Sequence, residues 1–304
     1  MPRCARVKSF DSIYHIMVRG ISDVRLFRCN ADKDMYLYLI KKYQDVHLFK
    51  VYAYCIMDTH AHIIIDCNGA DISKIMHGIN QCYAQYYNRT YKRRGHLFQD
   101  RFKSVIIEDN DALLSTSAYI NKNPKDIRRY NGREEWYFYS SFGIYAGIRQ
   151  DNLHILDPYF ILDMYSKDSL TARRKYYTFV KKYNAENKAD NMEFNNERAE
   201  YRSERRILIR DASPDDIIGF VSAYTRVDKS YVNIKYIKDA AEMKALCALL
   251  MRCLCDMSQK DICFWMGNIT QSHAARLYNR GIKLVEENVR YKNIISDFLG
   301  RKAA

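Results

Sequence analysis

Thr59-His60-Ala61-His62-Ile63-Ile64-Ile65 follows closely on Phe49-Lys50-Val51-Tyr52-Ala53-Tyr54-Cys55-Ile56-Met57, and the reading of this pair decides the fold. Both segments are apolar, β-branched and aromatic, which predicts two buried strands with Asp58-Thr59 as a tight break between them. Side chains at i and i+2 of a strand point to one face. His60 and His62 therefore project side by side, with Ala61 turned away. Two neutral imidazoles at that spacing can share a divalent metal ion. They can also simply close a strand end, and the rest of the chain decides between these readings.

Working outward, residues 12–18 read as a strand, and Arg19-Gly20 opens a loop. Asn30 or Asp32 is placed to cap a helix reaching about Val46. Asp71 is placed to cap an amphipathic helix whose apolar positions include Ile72, Ile75, Met76, Ile79 and Tyr83. That helix runs into a basic segment, residues 89–96. A strand is expected over 97–107, then a helix from Asp111 to about Lys122, started by Asp109 or Asn110 and stopped by Pro124. The order strand, helix, strand, strand, helix, strand, helix predicts an α+β domain. It is a ferredoxin-like antiparallel sheet with helices, and the H-x-H strand lies near its middle.

The chain has 304 residues, enough for more than one domain, and is 48% hydrophobic. No run is apolar enough to cross a bilayer, so no membrane partner is expected. The first residues lack the apolar core of a signal peptide. Nine cysteines are scattered without a C-x-x-C pair, which points to reduced thiols in a cytoplasmic protein. A formal charge of +13 favours nucleic acid as partner. The 26 tyrosines offer stacking surfaces as well as core material.

On the last helix of the first half, Tyr119 and Asn123 lie at i, i+4 and share a face. Tyr119 offers a phenol oxygen that can act as a nucleophile. Asn123 offers a hard carbonyl oxygen suited to magnesium or manganese. Among so many tyrosines, periodicity alone does not single out this one.

Three blocks of residues together resemble a known family. Residues 51–62 look like the histidine-pair block of the single-tyrosine HUH transposases. Gly95-His96-Leu97-Phe98-Gln99-Asp100-Arg101-Phe102-Lys103-Ser104 is similar to a stretch of the branch associated with repetitive palindromic elements, and Tyr119-Ile120-Asn121-Lys122-Asn123-Pro124 resembles that branch's Y-I-x-x-N-P block. The resemblance covers roughly residues 8–150. Ala61 is smaller than the residue common between the two histidines, and Asn123 stands where wider relatives carry glutamine. The resemblance implies a Mg2+ or Mn2+ ion held by His60, His62 and Asn123. It also implies Tyr119 as the nucleophile and a 5′-phosphotyrosine intermediate on single-stranded or hairpin DNA. Arg19, Arg93, Arg94, His96, Arg101, Lys103, Lys122 and Lys125 are read as phosphate contacts.

The second half reads differently. Residues 156–165 suggest a short helix, and Ser169 or Thr171 begins another. Residues 184–200 are poor in apolar residues and suggest a solvated linker. Ser213-Pro214 starts a helix, and a long helix is expected over 240–256. A further pair follows, opened by Ser258 and by Thr270 around Gly267-Asn268. This is a helix-turn-helix pattern, and it resembles the C-terminal DNA-binding domain of the replication initiator DnaA. It would offer Gln271, Ser272, His273 and Arg276 to a duplex major groove. The expected domains are a nuclease domain at 1–150, a helical extension and linker at 151–200, and an all-α DNA-binding domain at 201–304, with monomer and homodimer both open. The leading expectation is a metal-dependent DNA transposase or nickase. Two alternatives stand beside it: a relaxase-like nickase, and a catalytically idle, transposase-derived DNA-binding protein.

Overall fold

The computed structural model describes residues 12–21, 24–183, 207–234, 237, 239–267 and 269–303, so the linker expected at 184–200 lies outside the described residues. Strands β1 (Ile13–Arg19), β2 (Lys50–Ile56), β3 (His60–Asp66) and β4 (Lys103–Ile107) form one sheet in the order β2-β3-β1-β4. Every pairing is antiparallel. Helix α1 (Asn30–His47) connects β1 to β2, and α2 (Ile72–Thr90) connects β3 to β4. This is the expected ferredoxin-like α+β layout, with the H-x-H strand second from one edge. The register follows from burial. Ile16, Val18, Ala61, Ile63 and Ile65 are all buried, and a one-residue slip would move this whole set to the other face.

Local chemistry moves several boundaries. Helix α1 begins after Cys29, without a side-chain cap. Asp32, a candidate cap, instead accepts from the backbone N–H of Arg28 at 2.8 Å and from Tyr91 Oη at 2.8 Å, which ties the helix start to the end of α2. Asp71 and Asp109 do cap their helices, accepting from Ser73 and Ala112. The strand expected over 97–107 is regular only from Lys103. Phe98 makes an isolated bridge to Gly20, and residues 99–101 bend away before pairing resumes.

Helix α3 (Asn110–Lys122) ends in a 3-10 turn, Asn123–Asp126, and packs on β2 and β3. A second 3-10 turn, Glu134–Trp136, precedes the short helix α4 (Phe142–Tyr145). Then come α5 (Tyr159–Leu162), shorter than expected, and α6 (Ser169–Lys182), capped by Asp168. Helix α6 packs against α3, α4 and α5. Two compact units result, Met1–Ile207 and Leu208–Ala304.

The second unit holds α7 (Pro214–Thr225), α8 (Ala241–Leu254), α9 (Gln259–Met266), α10 (Gln271–Glu287) and α11 (Ile294–Ala303). Ser213 and Thr270 cap α7 and α10, and Ser258 with Asp261 forms a capping box on α9. Among the described residues no helix is long and apolar enough to cross a membrane. Helices α8 and α10 pack tightly because Gly281 has no side chain. A Cβ there would lie 2.5 Å from the Ala245 carbonyl oxygen and 2.8 Å from Leu249 Cβ. Alanine is the better helix former by about 1 kcal/mol, but overpacking costs about 1–3 kcal/mol. Gly281→Ala is therefore expected to destabilise the protein in urea unfolding, reversing the order helix propensity alone would give.

Candidate active site

The register brings a third histidine to the pair. Arg19, Met17 and His15 of β1 lie opposite His60, His62 and Ile64 of β3. Residues that pair directly share a face, so His15, His60 and His62 all project to one side of the sheet. His15 Nε2 lies 2.9 Å from His62 Nδ1, with both side chains buried. The rings of His15 and His62 stack with centroids 5.1 Å apart, and those of His60 and His62 meet edge-on at 5.0 Å. Tyr119 of α3 comes down on this group, its ring 5.6 Å from that of His62 and 6.2 Å from that of His15.

The rotation of α3 about its own axis is set by a buried polar node. Asn121 is fully buried. Its Oδ1 accepts from Ser141 Oγ at 2.7 Å and Ser140 Oγ at 3.2 Å, and its Nδ2 donates to Tyr176 Oη at 2.7 Å. Tyr176 in turn donates to Ser117 Oγ at 3.1 Å. Ser117 and Asn121 form one i, i+4 stripe, held by α6 and the 140–141 segment. Tyr119 and Asn123 form another, which faces the histidines. Asn123 Nδ2 donates to the Tyr119 carbonyl at 2.9 Å, and its amide stands against both the His60 ring and the Tyr119 phenol.

Burial dominates the electrostatics. It draws the pKa of His15 down to about 4, and those of His60 and His62 below the ordinary histidine value. His62 is lowered further by the other two rings, and His60 by Arg19. All three imidazoles are neutral at pH 7. The phenol of Tyr119 is raised, first by burial and then by Asp126, against a lowering by the Asn123 amide. It stays protonated until it meets a proton acceptor.

The donor set fits a divalent ion. Thr59 Oγ1 occupies His60 Nδ1 at 2.9 Å and His15 occupies His62 Nδ1, so the Nε2 atoms are the ring nitrogens that could bind an ion. The Asn123 amide nitrogen donates to a carbonyl, so its oxygen is the end that could bind an ion. Two imidazoles and an amide oxygen leave positions for water or phosphate oxygens. Among the described residues no cluster of three or more His, Cys, Asp or Glu side chains could hold a metal, so the set depends on the amide.

The expected phosphate contacts divide. Arg19 ends β1 opposite His60, and the 97–99 segment is tied to this end through Gln99 N–H to the Arg19 carbonyl at 3.0 Å. Lys103 is exposed and pairs with Met17, on the histidine face. Arg94, His96 and Arg101 are exposed in the loop before β4, and Arg93 donates to the His96 carbonyl at 2.7 Å. Lys125 lies in the turn after α3. Lys122 is different: its ammonium donates to the carbonyls of Lys181 at 2.9 Å and Tyr183 at 2.8 Å. Gln271, Ser272, His273 and Arg276 are exposed along the first turns of α10, in the second unit. Sequence reasoning missed His15 and Asp126. Alternation along residues 13–19 puts His15 in phase with Met17 and Arg19, but only the register of β1 on β3 brings that phase to His60 and His62.

Residues 8–123 match the sequence model of a family described as "Transposase IS200 like". That segment contains His15, His60, His62, Tyr119 and Asn123. Among solved structures, the chain is similar to one described as "Structure of the REP associates tyrosine transposase bound to a REP hairpin". The similarity is 16% identity over 48% of this chain and 86% of that one, with a TM-score of 0.41. No curated protein matches the chain.

Two outcomes follow from the geometry. Asn121→Ala takes one hydrogen-bond partner from each of three buried hydroxyls and is expected to cost about 1–3 kcal/mol in chemical denaturation. His15 gives an acid-labile component. Between pH 6.5 and about 4 the unfolded chain holds its proton and the folded chain does not. Stability therefore falls as pH drops through that window, by roughly 3 kcal/mol at about 1.4 kcal/mol per unit. His15→Leu should remove that component, so its unfolding free energy should fall less between pH 7 and pH 4 than the parent's.

Proposed function

Taking the IS200-transposase-like segment at residues 8–123 as premise, we propose that the chain is a metal-dependent DNA transposase or nickase. It would cleave and rejoin unpaired or hairpin DNA through Tyr119. The observation that carries this reading is the Tyr119 ring set 5.6 Å from that of His62, on the face that His60 also occupies. Neutral imidazoles, a buried phenol and an amide oxygen converge there.

In the proposed reaction the Tyr119 oxygen attacks the scissile phosphorus in line. The Tyr–P bond forms as the P–O3′ bond breaks. The phenol proton of Tyr119 passes to water as its oxygen attacks, and the departing oxygen takes a proton from water to become a free 3′-hydroxyl, while the phosphate stays on the tyrosine as a 5′ ester. The bond energy is kept, and a 3′-hydroxyl attacking the ester reverses the step on another strand. Bound by His60, His62 and Asn123, Mg2+ or Mn2+ would polarise the phosphate and offset its developing charge. His15 serves as a positioning residue: it holds His62 Nδ1, which fixes the ring and would leave Nε2 to bind the ion. Arg19, Lys103 and the exposed basic residues of the 93–101 loop guide the phosphate backbone to the site. Helices α9 and α10 form the helix-turn-helix element, with Gln271, Ser272, His273 and Arg276 facing duplex DNA.

The test is the covalent product. The full chain, given a labelled single-stranded oligonucleotide carrying a hairpin and Mn2+, should form a denaturant-resistant adduct. Tyr119→Phe and His60→Ala should each abolish the adduct, and so should EDTA, while DNA retention by the basic surfaces persists in all three. An adduct that survives Tyr119→Phe would sink the proposal. No adduct from the parent chain under any divalent ion would leave an idle DNA binder.

A further inference from the structure

Downstream of the tyrosine helix, the chain presents aromatic rings to solvent in a basic setting. From Trp136 to Tyr139 exposure alternates. Tyr137 and Tyr139 are buried, while Trp136 is 61% and Phe138 52% exposed. The buried pair fix the strip. Tyr137 Oη donates to the Ile56 carbonyl at 2.7 Å, and Ile56 N–H donates to the Tyr139 carbonyl at 2.8 Å. Just upstream, Glu134 and Glu135 are buried and share one ion-pair partner, Lys181, at 2.9 and 2.8 Å. The rings between them stand on a braced backbone, which lowers the entropy lost on binding.

The exposed charge on the stretch just before the buried glutamates is basic. Residues 127–133 carry Arg128, Arg129 and Arg133, all exposed, and no acid. The Arg149 guanidinium lies over the Phe138 ring at 4.6 Å, held by a bond to the Ser140 carbonyl at 2.6 Å. The strip also packs beside α3, the helix that carries Tyr119. The 3-10 turn holding Trp136 packs against α3 and against the turn that begins at Asn123, and Ser140 bonds Asn121 on the tyrosine helix.

Exposed aromatic faces interleaved with arginine suit a ligand that is polyanionic and has free π-faces. Duplex DNA offers the charge but hides its bases in the stack, whereas an unpaired strand offers both. We infer that Trp136 and Phe138 are a stacking platform for unpaired bases of the DNA strand held near Tyr119. This deepens the proposed function and rests on it for the identity of the ligand as DNA. The rings would hold the strand open, and Arg128, Arg129 and Arg133 would follow its phosphates.

The chain has two tryptophans, so Trp265→Phe leaves Trp136 as the only indole emitter. The full-length Trp265→Phe protein, in EDTA so that no cleavage occurs, is titrated with oligothymidine, an abasic strand of equal length, and a duplex. The expected result is quenching of Trp136 by oligothymidine alone. Base–aromatic stacking is worth about 1–3 kcal/mol, so Trp136→Ala and Phe138→Ala should each weaken oligothymidine binding by about 5- to 150-fold. The slope of affinity against salt should not change. Arg133→Ala should instead flatten that slope by about one ion. The platform is overturned if the emission of Trp136 is unmoved by oligothymidine. It is equally overturned if the abasic strand or the duplex quenches it as strongly, or if the double alanine variant binds oligothymidine like the parent. Because nothing in this experiment needs metal or Tyr119, a chain that forms no adduct but shows the quench loses the nuclease reading and keeps the platform.

Discussion

The setting of α3 on the sheet depends on one buried amide. Asn121 uses both ends of its carboxamide, receiving two serine hydroxyls and donating to Tyr176. Apolar contacts are non-directional and hold the roll of a helix only through packing. An amide bonded at both ends in a low-dielectric interior adds an angular constraint, because a roll leaves polar atoms unpaired. The roll angle matters because Tyr119 and Asn123 lie two residues to either side of Asn121. Their direction toward the histidines is fixed by bonds that neither of them makes.

Two periodicities meet at the site. The strand repeat of two aligns His60 and His62, and the helix repeat near four aligns Tyr119 and Asn123. Each was legible along the chain, and so was the order of elements that makes a β2-β3-β1-β4 sheet. What sequence could not carry is the lateral register. His15 joins His62 only because β1 pairs with β3 so that His15 faces Ile64, and that pairing is set by burial on the opposite face. A lone histidine inside an apolar strand gives no local sign of it.

Polar caps were read well where a carboxylate or hydroxyl stood directly before its helix, as at Asp71, Asp109, Ser213, Ser258 and Thr270. The reading failed at α1, where Asp32 is drawn off by Tyr91 and the Arg28 backbone, partners some sixty and four residues away. It also failed along 97–107, where hydrophobicity continues through a bend that only the closing of the sheet reveals. The exposed aromatics at 136 and 138 escaped for a related reason. In a chain with 26 tyrosines and 13 phenylalanines, nothing local tells a solvent-facing ring from a core ring.

Lys122 sits immediately before Asn123, and its ammonium grips the carbonyls of Lys181 and Tyr183 at the point where α6 ends. One cation thus joins the C-terminal ends of the tyrosine helix and of α6, and it needs both carbonyls in place at once. Fraying of the last turn of α6 would free the Lys122 ammonium, and the first neighbour to feel its release is the Asn123 amide beside His60.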